Sequence, residues 1–288
     1  MTALHRTAIF KAQGVLAREI VSLLEDTEGD PLGRLILVDN ARDFVRFKGA
    51  RLDVAPRSAE RLGDARVGLL GGADAGLIEV NVASDDAPGV VTDPLAGPLP
   101  AHRGSLLVPR AGALLVARVA RALSARRAVG TVLEPAGELG AKALTELYEQ
   151  TTALFGQRVI PTEIFGARLS FNVLPGRGSA RGAAEVAGCP VALTHLLVPV
   201  MAGTTASVEL ELPAALPREE LVDALEDAGV EVHEAVDPAS VVGESAMRCT
   251  LVAVEGARVR LILVADEARL LGEALIAAAV ALHAAAPA

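Results

Sequence analysis

The side chains able to do chemistry are few in this chain, and most stand alone. Lysine chemistry is limited to Lys11, Lys48 and Lys142, because the other 24 of the 27 basic residues are arginines. The two cysteines, Cys189 and Cys249, lie far apart in no metal-like spacing, so neither a disulfide framework nor a zinc site is expected. Cys189, in "AGCP", has no general base near it in sequence and is read as a buried or loop thiol; Cys249 opens a strand and is read as core. The five histidines do not converge. His195 sits between apolar neighbours in "THLLVPV" as a core or interface histidine, while His5, His102, His233 and His283 are isolated near ends or in loops. No metal ligand set, paired carboxylate motif or Ser, His and Asp spacing stands out.

One stretch has the setting of a phosphate site without its full residue set. "TAIFKAQGVLAREIVSLLED", from Thr7 to Asp26, reads as strand, turn and amphipathic helix. A dinucleotide turn uses glycines to tighten the chain, to admit the pyrophosphate and to pack helix on strand. Those places hold Lys11, Gly14 and Ala17, so the unit is read as kept for folding. Asp39, 25 residues past Gly14 at the end of the next strand, stands where an acid would bind ribose hydroxyls. An Asp ending a strand is as common for structural reasons. Gly71, Gly72 and Gly76 complete the candidates for residual nucleotide contact.

The elements that must hold these residues follow from pattern. With 288 residues, two domains are expected. The core must be built from Ala, Val and Leu, since hydrophobic residues make up 51% but aromatics only 2%. "RLILVDN", "ARVGLLGGADAG" and "PGVVTDP" read as strands of a doubly wound, Rossmann-like sheet. From about Arg126 the rhythm changes. "AVGTVLEP", "VALTHLLVPV" and "TASVELELP" read as strands and Leu139 to Phe155 as a helix. "PREELVDALEDAG" reads as a surface helix with Pro217 in its first turn. "RCTLVAVEGARVRLILVADE" reads as a hairpin turning at Glu255 and Gly256. This half is expected to be an antiparallel sheet covered by helices. The last helix is apolar almost all round and should be buried.

A net charge of -9 and a pI near 5.2 exclude a basic nucleic-acid surface as the organising feature. The longest apolar run, Ala274 to Leu282, is too short to cross a bilayer, and no signal-like N-terminus is seen. A soluble, cytoplasmic protein is expected.

Several segments, in order, resemble the aspartate-semialdehyde dehydrogenase family. "IPTEIFGARLSFNVLPGRG" is similar to the family's "F-P…I-A-F-N-V-I-P", through Phe165, Phe171, Asn172, Val173 and Pro175. "LLVPVMAGTTASVELELP" resembles "V-R-V-P-V…G-H-S-E-S-V-N-V-E-L", and "VVGESAMRCTLVAVEGARVRLILVADEAR" resembles "D-V-V-G…V-G-R-I…L-W-V-V-A-D-N-L-R". With "FKG" at Phe47 to Gly49, the resemblance covers nearly the whole chain. It implies a Rossmann-like domain over 1–110, onto which a C-terminal helix at 268–288 packs back, and a glyceraldehyde-3-phosphate-dehydrogenase-like α+β dimerisation domain over 111–267. It also implies a homodimer.

The family's chemistry is a cysteine thiolate attacking an aldehyde, hydride transfer to NADP, and phosphate attack on the thioester. Residue by residue, the resemblance implies that this chemistry is absent. Ala111 falls where the family's cysteine opens a helix in "N-P-N-C-T", and Thr204 falls where the acid/base histidine stands. Leu197 replaces the arginine that clamps the substrate carboxylate, and Glu134 falls near the glutamine that orients the substrate. Between Pro175 and Val191 the chain is too short for the family's lysine-bearing helix, and Glu267 and Leu275 replace two late asparagines. The chain is therefore similar to degenerate, Usg-type members of the family. The expectation is a pseudoenzyme with no cofactor, or NADP or NAD if any. Two alternatives stay open: a nucleotide sensor using Gly14, Asp39, Gly71, Gly72 and Gly76, and, ranked below it, a dehydrogenase with altered chemistry at Cys189.

Overall fold

The computed structural model describes residues 6–95 and 104–285, so His5 and His102 lie outside the described residues. The chain forms two compact units, one of Met1–Pro109 with Leu271–Ala288 and the other of Arg110–Leu270.

The first unit is built on an eight-stranded sheet. Its strands are β1 (Arg6–Phe10), β2 (Arg34–Val38), β3 (Asp43–Phe47), β4 (Ala50–Ala55), β5 (Val67–Leu69), β6 (Ile78–Val82), β7 (Val90–Val91) and β8 (Leu106–Val108). The spatial order is β3-β4-β2-β1-β5-β6-β8-β7, and every neighbouring pair is parallel except β3 with β4. Continuous apolar runs suit the buried interior strands, as "RLILV" in β2 shows with four buried residues after an exposed arginine. Helix α1 (Val15–Asp26) turns Ala17, Ile20, Val21 and Leu24 inward at helical spacing. The crossover helix α2 (Ala59–Leu62) has only four residues, capped by the Ser58 hydroxyl. Between β3 and β4 the "FKG" motif makes a two-residue turn in which Lys48 and Gly49 both have positive φ, the geometry that suits a right-twisted hairpin.

The second unit opens with α3 (Ala111–Ala122), nine of whose twelve residues are buried. Its seven strands are β9 (Arg127–Pro135), β10 (Leu174–Pro175), β11 (Val191–Val198), β12 (Thr204–Glu211), β13 (Val230–Val232), β14 (Met247–Glu255) and β15 (Arg258–Ala265). The helices α4 (Ala141–Phe155), α5 (Ala183–Ala187) and α6 (Arg218–Asp227) lie between them. The order is β10-β11-β9-β12-β15-β14-β13. The expectation of an antiparallel sheet needs correction, because β9 with β11 and β13 with β14 are parallel. The physical reason is connection length: the residues joining β9 to β11 include all of α4, enough to carry the chain back to the same edge. The β14–β15 hairpin turns at Gly256 and Ala257, with Glu255 still paired to Arg258. Pro217 caps α6 instead of lying inside its first turn.

The closing helix α7 (Glu267–Ala284) begins in the second unit, and from Leu271 it belongs to the first. There Gly272 lies so close to α1 that an added Cβ would meet Leu23 Cδ1 at 2.8 Å, and His283 Nε2 hydrogen-bonds the Thr7 hydroxyl at 2.8 Å. No residue of α7 before Ala284 is exposed, as its all-apolar pattern requires.

Candidate functional site

In the first unit, the five glycine and aspartate candidates all follow carboxyl ends of parallel strands, where open sheets bind ligands. Each is engaged internally. Lys11 takes a left-handed backbone (φ 53), and the turn it makes uses its own amides. Ala12 N donates to Val38 O at 3.2 Å, Gln13 N to Asp39 Oδ2 at 2.9 Å, and Gly14 N to Lys11 O at 2.7 Å. Amides bonded in this way are not available to a phosphate. The second Asp39 oxygen accepts from Asn40 N at 2.7 Å, so the carboxylate ties β2 to the turn. Gly71 (φ 159) and Gly72 (φ 112) are required by the Phe10 ring, which a Cβ on either would meet at about 3 Å. Gly76 (φ 77) ends a 3-10 turn that starts at Gly72. The turn residues therefore do not fit a pyrophosphate cradle.

In the second unit, topology brings Ala111, Glu134, Leu197 and Thr204 to one edge of the sheet. Glu134 is the penultimate residue of β9, Leu197 is the penultimate residue of the parallel β11 in register with it, and Thr204 starts the antiparallel β12 one step from the Thr205–Leu133 pair. Ala111, fully buried, is the first residue of α3. The helix lies directly on β9, since a Cβ on Gly112 would overlap the Val132 side chain.

Around Glu134 lies a cluster of buried ionisable side chains. Glu134 Oε1 is 2.8 Å from His195 Nδ1, and Glu134 Oε2 accepts from Arg177 N at 3.0 Å. Both side chains of the pair are more than nine-tenths buried. The loop at Gly176 and Gly178 presses on them so tightly that a Cβ on Gly178 would overlap Glu134 Oε1 and His195 Nδ1. Arg110, the residue before α3, reaches Glu138 Oε1 at 3.1 Å. Burial pushes the Glu138 carboxyl up from its ordinary value, opposed by the Arg110 guanidinium and reinforced by Glu134. Glu267, at the start of α7, accepts from Gly203 N at 2.9 Å, and burial raises it to about 7.

The remaining two positions are not charged. Leu197 is packed with Ala136, Ala143, Leu147, Phe165 and Leu169 in an apolar cluster. Thr204 is fully buried, and its hydroxyl has no hydrogen-bond partner. Neither residue can clamp a carboxylate or shuttle a proton near neutral pH. Among the described residues, no group of three His, Cys, Asp or Glu could hold a metal ion.

His195 is buried, as its reading as a core or interface histidine expects, and is bonded to Glu134, while the reading of His283 as isolated is corrected by its bond to Thr7. His233 pairs weakly with Glu231 at the surface. Both cysteines are buried, and burial pushes both thiols up, Cys249 to about 11. Arg110, Glu138 and Arg177 were not legible as site residues; the only sequence signal was an acid at 134 near the end of an apolar strand and another at 138 just beyond it.

No protein-family model matches this chain, and no curated protein matches it either. Solved structures do. The fold is that of the aspartate-semialdehyde dehydrogenases. A probable aspartate-semialdehyde dehydrogenase from Pseudomonas aeruginosa matches with a TM-score of 0.80 and 20% identity, over 97% of this chain and 98% of that one. Aspartate semialdehyde dehydrogenase II from Vibrio cholerae matches with a TM-score of 0.80 and 21% identity, over 97% and 98%. The enzyme from Francisella tularensis matches with a TM-score of 0.73 and 15% identity, over 95% and 98%. At these identities the likeness concerns the fold. No described helix is long and apolar enough to cross a membrane.

Proposed function

We propose that this protein is a catalytically inactive, Usg-type homologue of aspartate-semialdehyde dehydrogenase that acts as a homodimeric scaffold or interaction protein in the cytoplasm. The observation that carries the reading is the state of Glu134. At the position where the resemblance puts a substrate-orienting amide, its two oxygens are taken by His195 and the Arg177 amide under a tight glycine loop. Leu197 in an apolar cluster, Ala111 at the helix start and Thr204 with a buried hydroxyl agree with it. The bonded amides at 12–14 argue against both a catalytic cofactor and a nucleotide sensor. Altered chemistry at Cys189 lacks support, since among the described residues no base is hydrogen-bonded to its sulfur and burial disfavours the thiolate.

The test is NADP-dependent oxidation of aspartate semialdehyde in the presence of phosphate, using protein purified through denaturation and refolding. No turnover above the no-protein control is expected. Turnover that persists and is lost in Glu134→Ala would overturn the reading.

The dimer is proposed to form through the second unit. The chain has only seven aromatic residues, and three of them are exposed there: Tyr148 and Phe155, two turns apart on α4, and Phe171, whose ring meets Phe155 edge-on at 5.8 Å. Phe171 holds a left-handed backbone (φ 56), an unfavourable state for an aromatic residue that burial does not explain. Phe155→Ser with Phe171→Ser should weaken self-association at least tenfold in sedimentation equilibrium. An unchanged dimer constant would exclude this surface.

A further inference from the structure

On the α2 side of the first unit's sheet, β2 and β4 part company. They pair only through Leu37 with Val54 and Val38 with Ala55, which leaves Arg34–Ile36 and Arg51–Asp53 on opposite sides of a fork. A four-residue helix is too short to cover it. Instead Arg61 reaches from α2 to the closed end of the fork, where it donates to Leu37 O at 2.9 Å and to Asp53 O.

The fork holds a half-open pocket of about 790 Å³, a size usual for small-molecule sites. Leu35, Ile36 and Leu52 give it an apolar floor, and six of its fourteen lining residues are arginines: Arg6, Arg34, Arg42, Arg51, Arg57 and Arg61. That density stands out in a chain of net charge -9. Carboxylates do not balance it. Asp64 pairs with Arg6 at 2.8 Å, Asp74 with Arg57, and Asp53 with Arg51 at 3.0 Å, while Glu60 is the only other acid in the lining. Arg34 and Arg42 have no acidic partner among the described residues. Arg6 and Arg34 are register partners at the amino ends of β1 and β2. This end of the pocket therefore lies at the opposite sheet edge from the turn at 11–14 and from Asp39.

We propose that this fork binds a small molecule carrying at least two phosphate groups. Planar guanidinium groups arriving from several directions suit a tetrahedral phosphate, which offers acceptors on all sides, better than a carboxylate, whose two oxygens lie in one plane. The surplus of two arginines calls for a ligand with more than one negative charge. The acidic remainder of the chain favours a small molecule over a nucleic acid.

Isothermal calorimetry with inorganic pyrophosphate, at low salt, tests the proposal. Saturable binding at one site per chain is expected, at least tenfold tighter than for inorganic phosphate. Arg34→Ala and Arg42→Ala should each weaken it at least tenfold. Both side chains are at the surface, so circular dichroism and melting temperature should stay unchanged. Arg34→Lys, which keeps the charge but loses the fork of donors, should recover only part of the loss. Arg218→Ala, on α6 of the other unit, removes the same charge elsewhere and should leave affinity unaltered. Absence of saturable pyrophosphate binding would sink the proposal, and so would an equal loss in Arg34→Ala and Arg218→Ala, which would mean diffuse attraction to net charge.

Discussion

The turn at 11–14 in the first unit and the sheet edge at Glu134 in the second are closed by opposite means. The turn is closed by backbone: three amides bond a carbonyl, a carboxylate and another carbonyl, and the aspartate involved is half-buried. The sheet edge is closed by ionisable side chains taken almost wholly out of water. Backbone closure asks little of its neighbours, because water can replace a lost partner. A buried ionisable pair depends on both members, since either one left alone keeps its desolvation cost without its compensation.

The largest effect is therefore expected at Glu134. Glu134→Ala strands His195 and the Arg177 amide and should cost about 3–5 kcal/mol in urea unfolding, whereas Asp39→Ala should cost about 1 kcal/mol. Equal losses at the two positions would remove the contrast. The next effect is a pH dependence. Glu267 titrates at about 7 in the fold against 4.5 for the free side chain, so the fold binds its proton more tightly than the unfolded chain does. Its favourable contribution is complete below about 4.5 and is lost as pH rises through 7. Stability should fall by about 2–3 kcal/mol between pH 5 and pH 8, and Glu267→Gln should flatten that slope. A slope unaltered in the variant would assign it to another group. The smallest effect sharpens the other side of the comparison. Lys11→Gly should relieve the left-handed backbone and stabilise the protein by about 0.5 kcal/mol without creating NADP binding, because the amides at 12–14 stay bonded. A heat of NADP binding to that variant would show that Lys11 alone had closed the turn.

What was legible in the sequence follows the same division. β2, β9, β11, α6 and the β14–β15 hairpin are set by local periodicity and turn residues, and they lie where the pattern places them to within a residue or two. The parallel pairing of β9 with β11 was not legible, because an apolar run says that a strand is buried but not which neighbour it takes. For the same reason His195 looked solitary: its partner Glu134 is 61 residues away and becomes adjacent only through that pairing. The overlap forced by Gly178 is likewise invisible in "PGRG", which reads as an ordinary turn. The family resemblance pointed to Ala111, Leu197 and Thr204 but carried no information about Arg110, which has a partner only when α3 and the 3-10 turn at Ala136–Leu139 meet.

The path of α7 has a consequence for synthesis. The first unit needs Leu271–Ala284, and Thr7 meets His283 across a sequence separation of 276, so a nascent chain cannot finish that unit until α7 has left the ribosome. The strands of the second unit are complete by Ala265 and can pair first. Until α7 arrives, Ile20 and Leu23 of α1 lack the surface they pack on, which makes α1 slow to become resistant to proteolysis although it is made long before α7.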